Sequence, residues 1–220
     1  MAKGATARRI DEVPTDQKWL PGFSGGPPSP PPAAPTAPAV SNARLGLLVF
    51  LGAEAMFFVG LIVAFLVLRL GSEVWPPPAQ PRLPVGVTGI NTVILLFSGL
   101  TGRLALRAVR HGNSRGLVQW ILTTVGLGTL FLSIQGYEWI RLIHFGLTVS
   151  SGTYGTTFYT LIGFHGLHVF VAVIWLMVVL LQSKRGRFTS QSHAGVETCS
   201  MYWTFVVGLW PLLYGLVYLF

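Results

Sequence analysis

The stretch "LGAEAMFFVGLIVAFLVLR", Leu51–Arg69, decides the fold. Glu54 is its only charge before the closing Arg69. Read from Arg44 to Leu70, this apolar run is long enough to cross ~30 Å of hydrocarbon as a helix rising ~1.5 Å per residue. Glu54 then lies about 15 Å along the helix from Arg44, near the bilayer middle. A carboxylate at that depth costs roughly 2.5–3.5 kcal/mol on insertion scales. Such a residue needs a partner or a use.

Working outward, the rest of the chain has the same character. It has 220 residues, 51% hydrophobic and 10% charged, with a mean hydropathy of +0.60. A soluble domain carries about 25% charged residues, so this chain has too few to cover a water-facing surface. Four further apolar runs follow the first: Val85 to Val109, Leu117 to Tyr137, Gly155 to Leu181, and Thr198 to Phe220. They are continuous rather than alternating, which excludes a membrane β-barrel. The expectation is an all-α bundle of five transmembrane helices over residues 44–220.

The net charge of +8 would point to nucleic acid in a soluble protein. Here the basic residues sit at span ends, and no nucleic-acid partner is expected. With the N-terminus inside, 12 Lys and Arg fall on the inner side and 3 (Arg69, Arg82 and Arg141) on the outer. That bias predicts a cytoplasmic N-terminus and an outer, periplasmic C-terminus.

Residues 1–43 read as a cytoplasmic tether. The first 23 residues carry basic groups but no apolar run of signal-peptide type. Eight of the chain's 15 prolines lie between Pro21 and Pro38, which predicts an extended, polyproline-like segment. A second stiff piece, "WPPPAQPRLP" from Trp75 to Pro84, is expected to cap the outer face. The single cysteine, Cys199, excludes an internal disulfide and reads as a small apolar filler.

Glycines recur within the spans: Gly46, Gly52, Gly60, Gly99, Gly102, Gly126, Gly128, Gly136, Gly163 and Gly166. Close helix–helix approach within the bundle is the expected use of most of them.

Of the five histidines, only His165 and His168 fall within a span, both on the fourth helix. A bis-histidine haem needs ligands facing each other from different helices, and no second helix offers one. Metal, haem and copper are therefore not expected on this chain. Glu54, His165 and His168 form the candidate buried ionisable cluster, with Glu54 expected to hydrogen-bond one of the histidines, His168 in preference. A buried carboxylate with polar neighbours suits a proton relay or a structural bond between helices. No catalytic residue is assigned. The chain has no phosphate-binding loop, HExxH or GxSxG motif. An independent ion carrier would need a continuous polar lining, and only these three residues are on offer.

Five stretches, in order, resemble subunit III of the haem-copper oxidases. They are "GAEAMFFVG" (Gly52–Gly60), "WPPP" followed by "GINTVILLFSG" (Gly89–Gly99), "LGTLFLSIQGYEW" (Leu127–Trp139), "GTYGTTFYTLIGFHGLHVF" (Gly152–Phe170) and "ETCSMYWTFVVGLWPLLYGLVYLF" (Glu197–Phe220). The resemblance covers Arg44 to Phe220 and is to the five-span form of cytochrome c oxidase subunit 3. It implies a non-catalytic subunit of a respiratory terminal oxidase in a bacterial cytoplasmic membrane. Such a subunit packs on subunit I, supports proton uptake there and holds phospholipids, while haem and copper reside in partner subunits.

Subunits I and II are the implied partners, with further respiratory subunits reached through the N-terminal tether. Homologous settings are quinol oxidases and the accessory protein of nitric oxide reductase. By position, Glu54 matches the family's carbodiimide-reactive glutamate, His165 and His168 its histidine pair, and Glu197 its acidic residue at the inner start of the last helix. Thr204 and Val207 depart from the family's histidine and aspartate. Arg44, Arg103 and Arg107, at inner span ends, are candidate contacts for lipid phosphate.

Overall fold

The computed structural model describes residues 42–77 and 83–220. The expected tether falls almost wholly outside these, as do residues 78–82 of the Pro-rich loop. The described chain forms five long helices and, among the described residues, no strand. They are α1 (Asn42–Leu70), α2 (Val85–Arg110), α3 (Ser114–His144), α4 (Thr153–Lys184) and α5 (Ala194–Tyr214), the last continued by a π-helical turn, Gly215–Leu219. All five are long and apolar enough to cross a membrane.

The helices outrun the hydrophobic runs. α3 was expected over Leu117–Tyr137 but starts at Ser114 and ends at His144, which places His144 on the helix rather than in a loop. Hydropathy ends where charge begins, whereas a helix ends where its backbone is capped. At the start, Asn113 Oδ1 accepts the Gly116 N–H at 2.8 Å, satisfying one of the free first-turn donors. At the end, Gly146 takes φ +91°, Leu147 N–H bonds to Leu142 O and Gly146 N–H to Ile143 O. This is a Schellman closure, and the left-handed residue it needs favours glycine. Gly112 and Gly186 close α2 and α4 in the same way.

α2 and α3 share the most extensive interface, and α5 packs on both α2 and α4. α1 rests lightly on α4 and α5 and buries only Phe58 and Phe65. Lipid tails are as apolar as Leu, so helices gain little from hiding apolar surface and are held by packing and hydrogen bonds. Most of those bonds between buried groups are neutral. Thr101 and Thr124 join their hydroxyls at 2.8 Å, and Asn91 Nδ2 donates to Phe131 O at 3.1 Å, both between α2 and α3. Trp210 Nε1 donates to Thr92 Oγ1 at 2.8 Å, and Trp203 Nε1 to Ser98 O at 3.3 Å, tying α5 to α2.

The glycines divide, and most do not serve close approach. A Cβ on Gly128 would lie 2.8 Å from Trp203, one on Gly166 2.8 Å from Trp139, one on Gly99 3.0 Å from Val207 and one on Gly102 3.3 Å from Trp203. Gly46, Gly52, Gly60, Gly126, Gly136 and Gly163 have nothing within 4 Å of such a Cβ. The expectation of tight packing therefore fails at these six. Three of them lie on α1, whose light contacts leave most of its surface open.

Cys199 is buried, 2% exposed. Pro211, inside α5, has no N–H to donate to the preceding turn. The helix continues as the π turn, closed by Phe220 N–H to Gly215 O at 2.9 Å. There Tyr218 is buried, and its hydroxyl accepts from Gln135 Nε2 at 3.2 Å.

Candidate functional site

Glu54 projects from the middle of α1 toward α4. Its Oε2 lies 2.8 Å from His168 Nε2. The two side chains are 18% and 16% exposed. Phe57, Phe58 and Phe164 surround the pair, with Phe58 5.1 Å from the His168 ring and edge-on to it. His168 Nδ1 is 2.6 Å from the Phe164 carbonyl one turn earlier. A carbonyl only accepts, so Nδ1 carries a proton.

The short contact to Glu54 then holds one further proton. It sits either on the carboxyl, with a neutral imidazole, or on Nε2, with a carboxylate. In both arrangements the pair is neutral as a unit, the cheapest condition for ionisable groups at membrane depth.

His165 does not join this pair. Residues three apart lie about 60° apart on broadly one helix face, yet the His165 ring packs against α5. His165 is 1% exposed and stacks on Trp210 of α5, centroids 5.0 Å apart at 26°. Neither ring nitrogen has a hydrogen-bond partner among the described residues. The expected three-residue cluster is thus a pair and a separate histidine, joined only by Phe58, which touches both rings.

At the end of the bundle where α1 and α5 begin and α2 ends, Glu197 on the first turn of α5 lies 3.4 Å from Arg110 and 3.6 Å from Arg44. One carboxylate therefore bridges α1, α2 and α5. Arg44 is engaged by a protein carboxylate, and Arg110, not singled out from sequence, joins it. Arg103 lines a groove of about 420 Å³ between α1, α2 and α5, walled by Leu51, Leu106, Met201, Thr204 and Phe205. Arg107 is exposed, and its carbonyl contacts the His111 ring at 2.8 Å. At the opposite end, buried Glu138 pairs with Arg141 at 3.2 Å.

Sequence reading passed over Asn91, Thr92, Gln135, Trp203 and Trp210. These carry no charge, so the cost that marks Glu54 does not mark them. Their signal was an amide, hydroxyl or indole at membrane depth, where each polar group needs a partner. Among the described residues, no three His, Cys, Asp or Glu side chains gather as a metal site.

Residues 34–220 match the family model described as cytochrome c oxidase subunit III. The chain is 38% identical over 175 residues to a protein of Synechocystis sp. named cytochrome c oxidase subunit 3, covering 79% of this chain and 74% of that one. It is 36% identical over 192 residues to the protein of the same name from Thermostichus vulcanus, covering 84% and 94%. With that from Xenopus laevis it shares 35% over 189 residues, covering 83% and 71%.

Proposed function

The chain belongs to the cytochrome c oxidase subunit III family, and from that premise we propose that it is the non-catalytic subunit III of a respiratory terminal oxidase. In this reading it lies in a bacterial cytoplasmic membrane with its N-terminus inside, packs on subunit I beside subunit II, and supports proton uptake while the complex reduces O₂ to water. Haem and copper belong to the partner subunits. The family match over residues 34–220 carries the assignment.

The Glu54–His168 pair supports the proton role. It holds one proton between two groups at membrane depth, 2.8 Å apart, and can pass it between them without changing its net charge. The same bond fastens the lightly packed α1 to α4, so the pair has a structural role as well. For phospholipid, the groove beside Arg103 offers an apolar trough with a guanidinium at its edge, which suits an acyl chain under an anionic headgroup.

The test is purification through a tag on this chain in mild detergent, with mass spectrometry and a reduced-minus-oxidised spectrum of the product. Haem bands together with a large polytopic subunit and a copper-binding subunit are expected. A colourless protein that purifies alone, under conditions that preserve oxidase complexes, overturns the reading and returns the chain to the ion-carrier class.

A further inference from the structure

α1 is attached differently from the other four helices. Of its most apolar 18 residues, 6% are buried within the protein, against 33–44% in the other spans. A Cβ on Gly46, Gly52 or Gly60 would meet nothing within 4 Å, so none of these glycines admits a neighbour.

Its polar residues are few and placed apart. Beyond Asn42, α1 has three polar side chains, Arg44, Glu54 and Arg69. Each bonds to another part of the chain. Arg44 lies 3.6 Å from Glu197 of α5. Glu54 Oε2 lies 2.8 Å from His168 Nε2 of α4. Arg69 donates to the Phe220 carbonyl and holds its guanidinium 4.5 Å over the Phe220 ring. Along the helix axis these clamps stand about 15 and 22 Å apart, one near each end of α1 and one toward its middle. Between them the seam is apolar, with Phe57 on Phe164 at 5.3 Å and Phe50 on Tyr202 at 6.2 Å. By contrast, α5 is tied to α2 by the neutral Trp210–Thr92 and Trp203–Ser98 bonds, buried at both residues.

Lipid tails replace apolar contacts at little cost, so the three clamps weigh most in keeping α1 seated. The middle clamp is of a kind that can open at membrane depth. His168 keeps its Nδ1 proton on the Phe164 carbonyl. The shared proton then leaves on Glu54 as a neutral carboxylic acid, and the imidazole stays neutral. An ion pair fixed by arginine at that depth would leave charge in hydrocarbon on parting. Arg44, 49% exposed, exchanges its carboxylate for water.

We propose that α1 is a strap that lifts from α4 and α5 as a unit while α2 to α5 stay packed, gating access from the bilayer to Glu54 and His168. Seated, the strap holds that pair at 18% and 16% exposed. Lifted, it presents the acid and the imidazole to the lipid phase. The inference rests on contacts within the chain, and it holds whether a neighbouring subunit carries α1 or the other four helices. The oxidase reading is judged by what purifies with the chain, so either can fail alone.

The experiment uses the intact assembly in lipid nanodiscs, spin-labelled in pairs for pulsed dipolar distance measurement. Met56→Cys on α1 with Ile174→Cys on α4 reports the seam, and Leu130→Cys on α3 with Ile174→Cys is the reference. All three positions are exposed, whereas the native Cys199 is buried. Should a label at Met56 block assembly, Val63→Cys, also exposed, takes its place. Each pair is measured in the wild-type background, in Glu54→Ala and in Arg69→Met.

Two α1–α4 distances and one α3–α4 distance are expected. Glu54→Ala is expected to raise the longer α1–α4 component about threefold relative to the shorter, the size of an average hydrogen bond between membrane helices. Arg69→Met is expected to raise it as well. In that variant, the rate at which a hydrophobic carbodiimide modifies Glu54 should rise by the same factor. A single α1–α4 distance unchanged in all three backgrounds overturns the proposal. So does an α3–α4 distance that broadens in step, which would mean general loosening. A carbodiimide rate that does not follow the longer component overturns the gating. If Glu54→Ala does not assemble, Arg69→Met and the wild-type distances decide by the same criteria.

Discussion

Glu54 Oε2 stands 2.8 Å from His168 Nε2 across the α1–α4 contact, and His168 Nδ1 is fixed at 2.6 Å from the Phe164 carbonyl. The second contact orients the first. With Nδ1 donating to the carbonyl, Nε2 meets Glu54 either as a lone pair or as a donor, and one proton satisfies both residues.

Glu54→Gln is expected to keep the assembly intact, because the amide donates to the Nε2 lone pair in place of the carboxyl proton. Glu54→Ala leaves His168 Nε2 without its partner and is expected to cost about 1–3 kcal/mol, with α1 the first helix to loosen. Thermal denaturation of the purified assembly orders the variants, wild type close to Gln and both above Ala. A hydrophobic carbodiimide is expected to label Glu54 in wild type and to miss that peptide in Glu54→Gln. If Glu54→Gln also shortens the number of turnovers the oxidase sustains, the pair serves proton uptake. Unchanged durability in Gln, with failed assembly in Ala, assigns it to structure alone.

Gly128 and Gly126, two residues apart on α3, are expected to respond oppositely to alanine. At Gly128 the new methyl would lie 2.8 Å from the Trp203 ring and 3.1 Å from Val173. Overpacking of this kind costs about 1–3 kcal/mol. At Gly126 the methyl meets nothing within 4 Å, and alanine favours the helix by up to about 1 kcal/mol. Parallel melting curves of the two variants give the sign directly, and destabilisation by Gly126→Ala would show an unseen neighbour on that face.

The five spans were legible because hydrocarbon thickness imposes a length that only long apolar runs meet. The ends were not, because Glu138, Arg141 and His144 interrupt hydropathy without interrupting the backbone ladder that Gly146 finally closes. The Glu54–His168 bond was legible from cost: an isolated carboxylate at depth needs a partner, and few were available. That His165 turns to Trp210 was not, since spacing alone leaves two residues three apart on broadly one face. The open glycines were hidden because a glycine in a membrane helix reads alike whether it admits another helix or leaves a space.

Trp210 reaches Thr92 at 2.8 Å, and Thr92 in turn donates to Thr88 O at 2.8 Å. The α2–α5 bond therefore ends on a hydroxyl already held in place. Replacing Trp210 by Phe removes the N–H with part of the ring, and Thr92→Val removes the acceptor. A double-mutant cycle on unfolding free energy is expected to return a coupling of about 0.6 kcal/mol, the average for hydrogen bonds between membrane helices. A coupling indistinguishable from zero would reduce Trp210 to a packing residue.

Glu197 ties α1, α2 and α5 together through Arg44 and Arg110, at 3.6 and 3.4 Å. The arginine side chains are 49% and 50% exposed, so salt reaches the cluster. Glu197→Gln is expected to lower stability by less than about 1 kcal/mol at low ionic strength, and the difference from wild type should fade as salt approaches 1 M, where the screening length is about 3 Å. Melting both proteins across a salt series measures this. A difference that persists at high salt would place the role of Glu197 in hydrogen bonding rather than in charge.

Orientation can be tested with the chain's own chemistry. Cys199 is 2% exposed, so it should not react with an impermeant maleimide, and the wild-type chain serves as its own blank. Ser150, between α3 and α4, and Ser190, between α4 and α5, are both exposed and lie at opposite ends of α4. The excess of Lys and Arg on one set of ends predicts that Ser150 faces outward and Ser190 inward. Ser150→Cys is therefore expected to label in intact spheroplasts, and Ser190→Cys only after the membrane is opened. The reverse pattern would invert the bundle, placing Glu197, Arg44 and Arg110 on the outer face and removing the anionic cytoplasmic leaflet as the source of any lipid held beside Arg103.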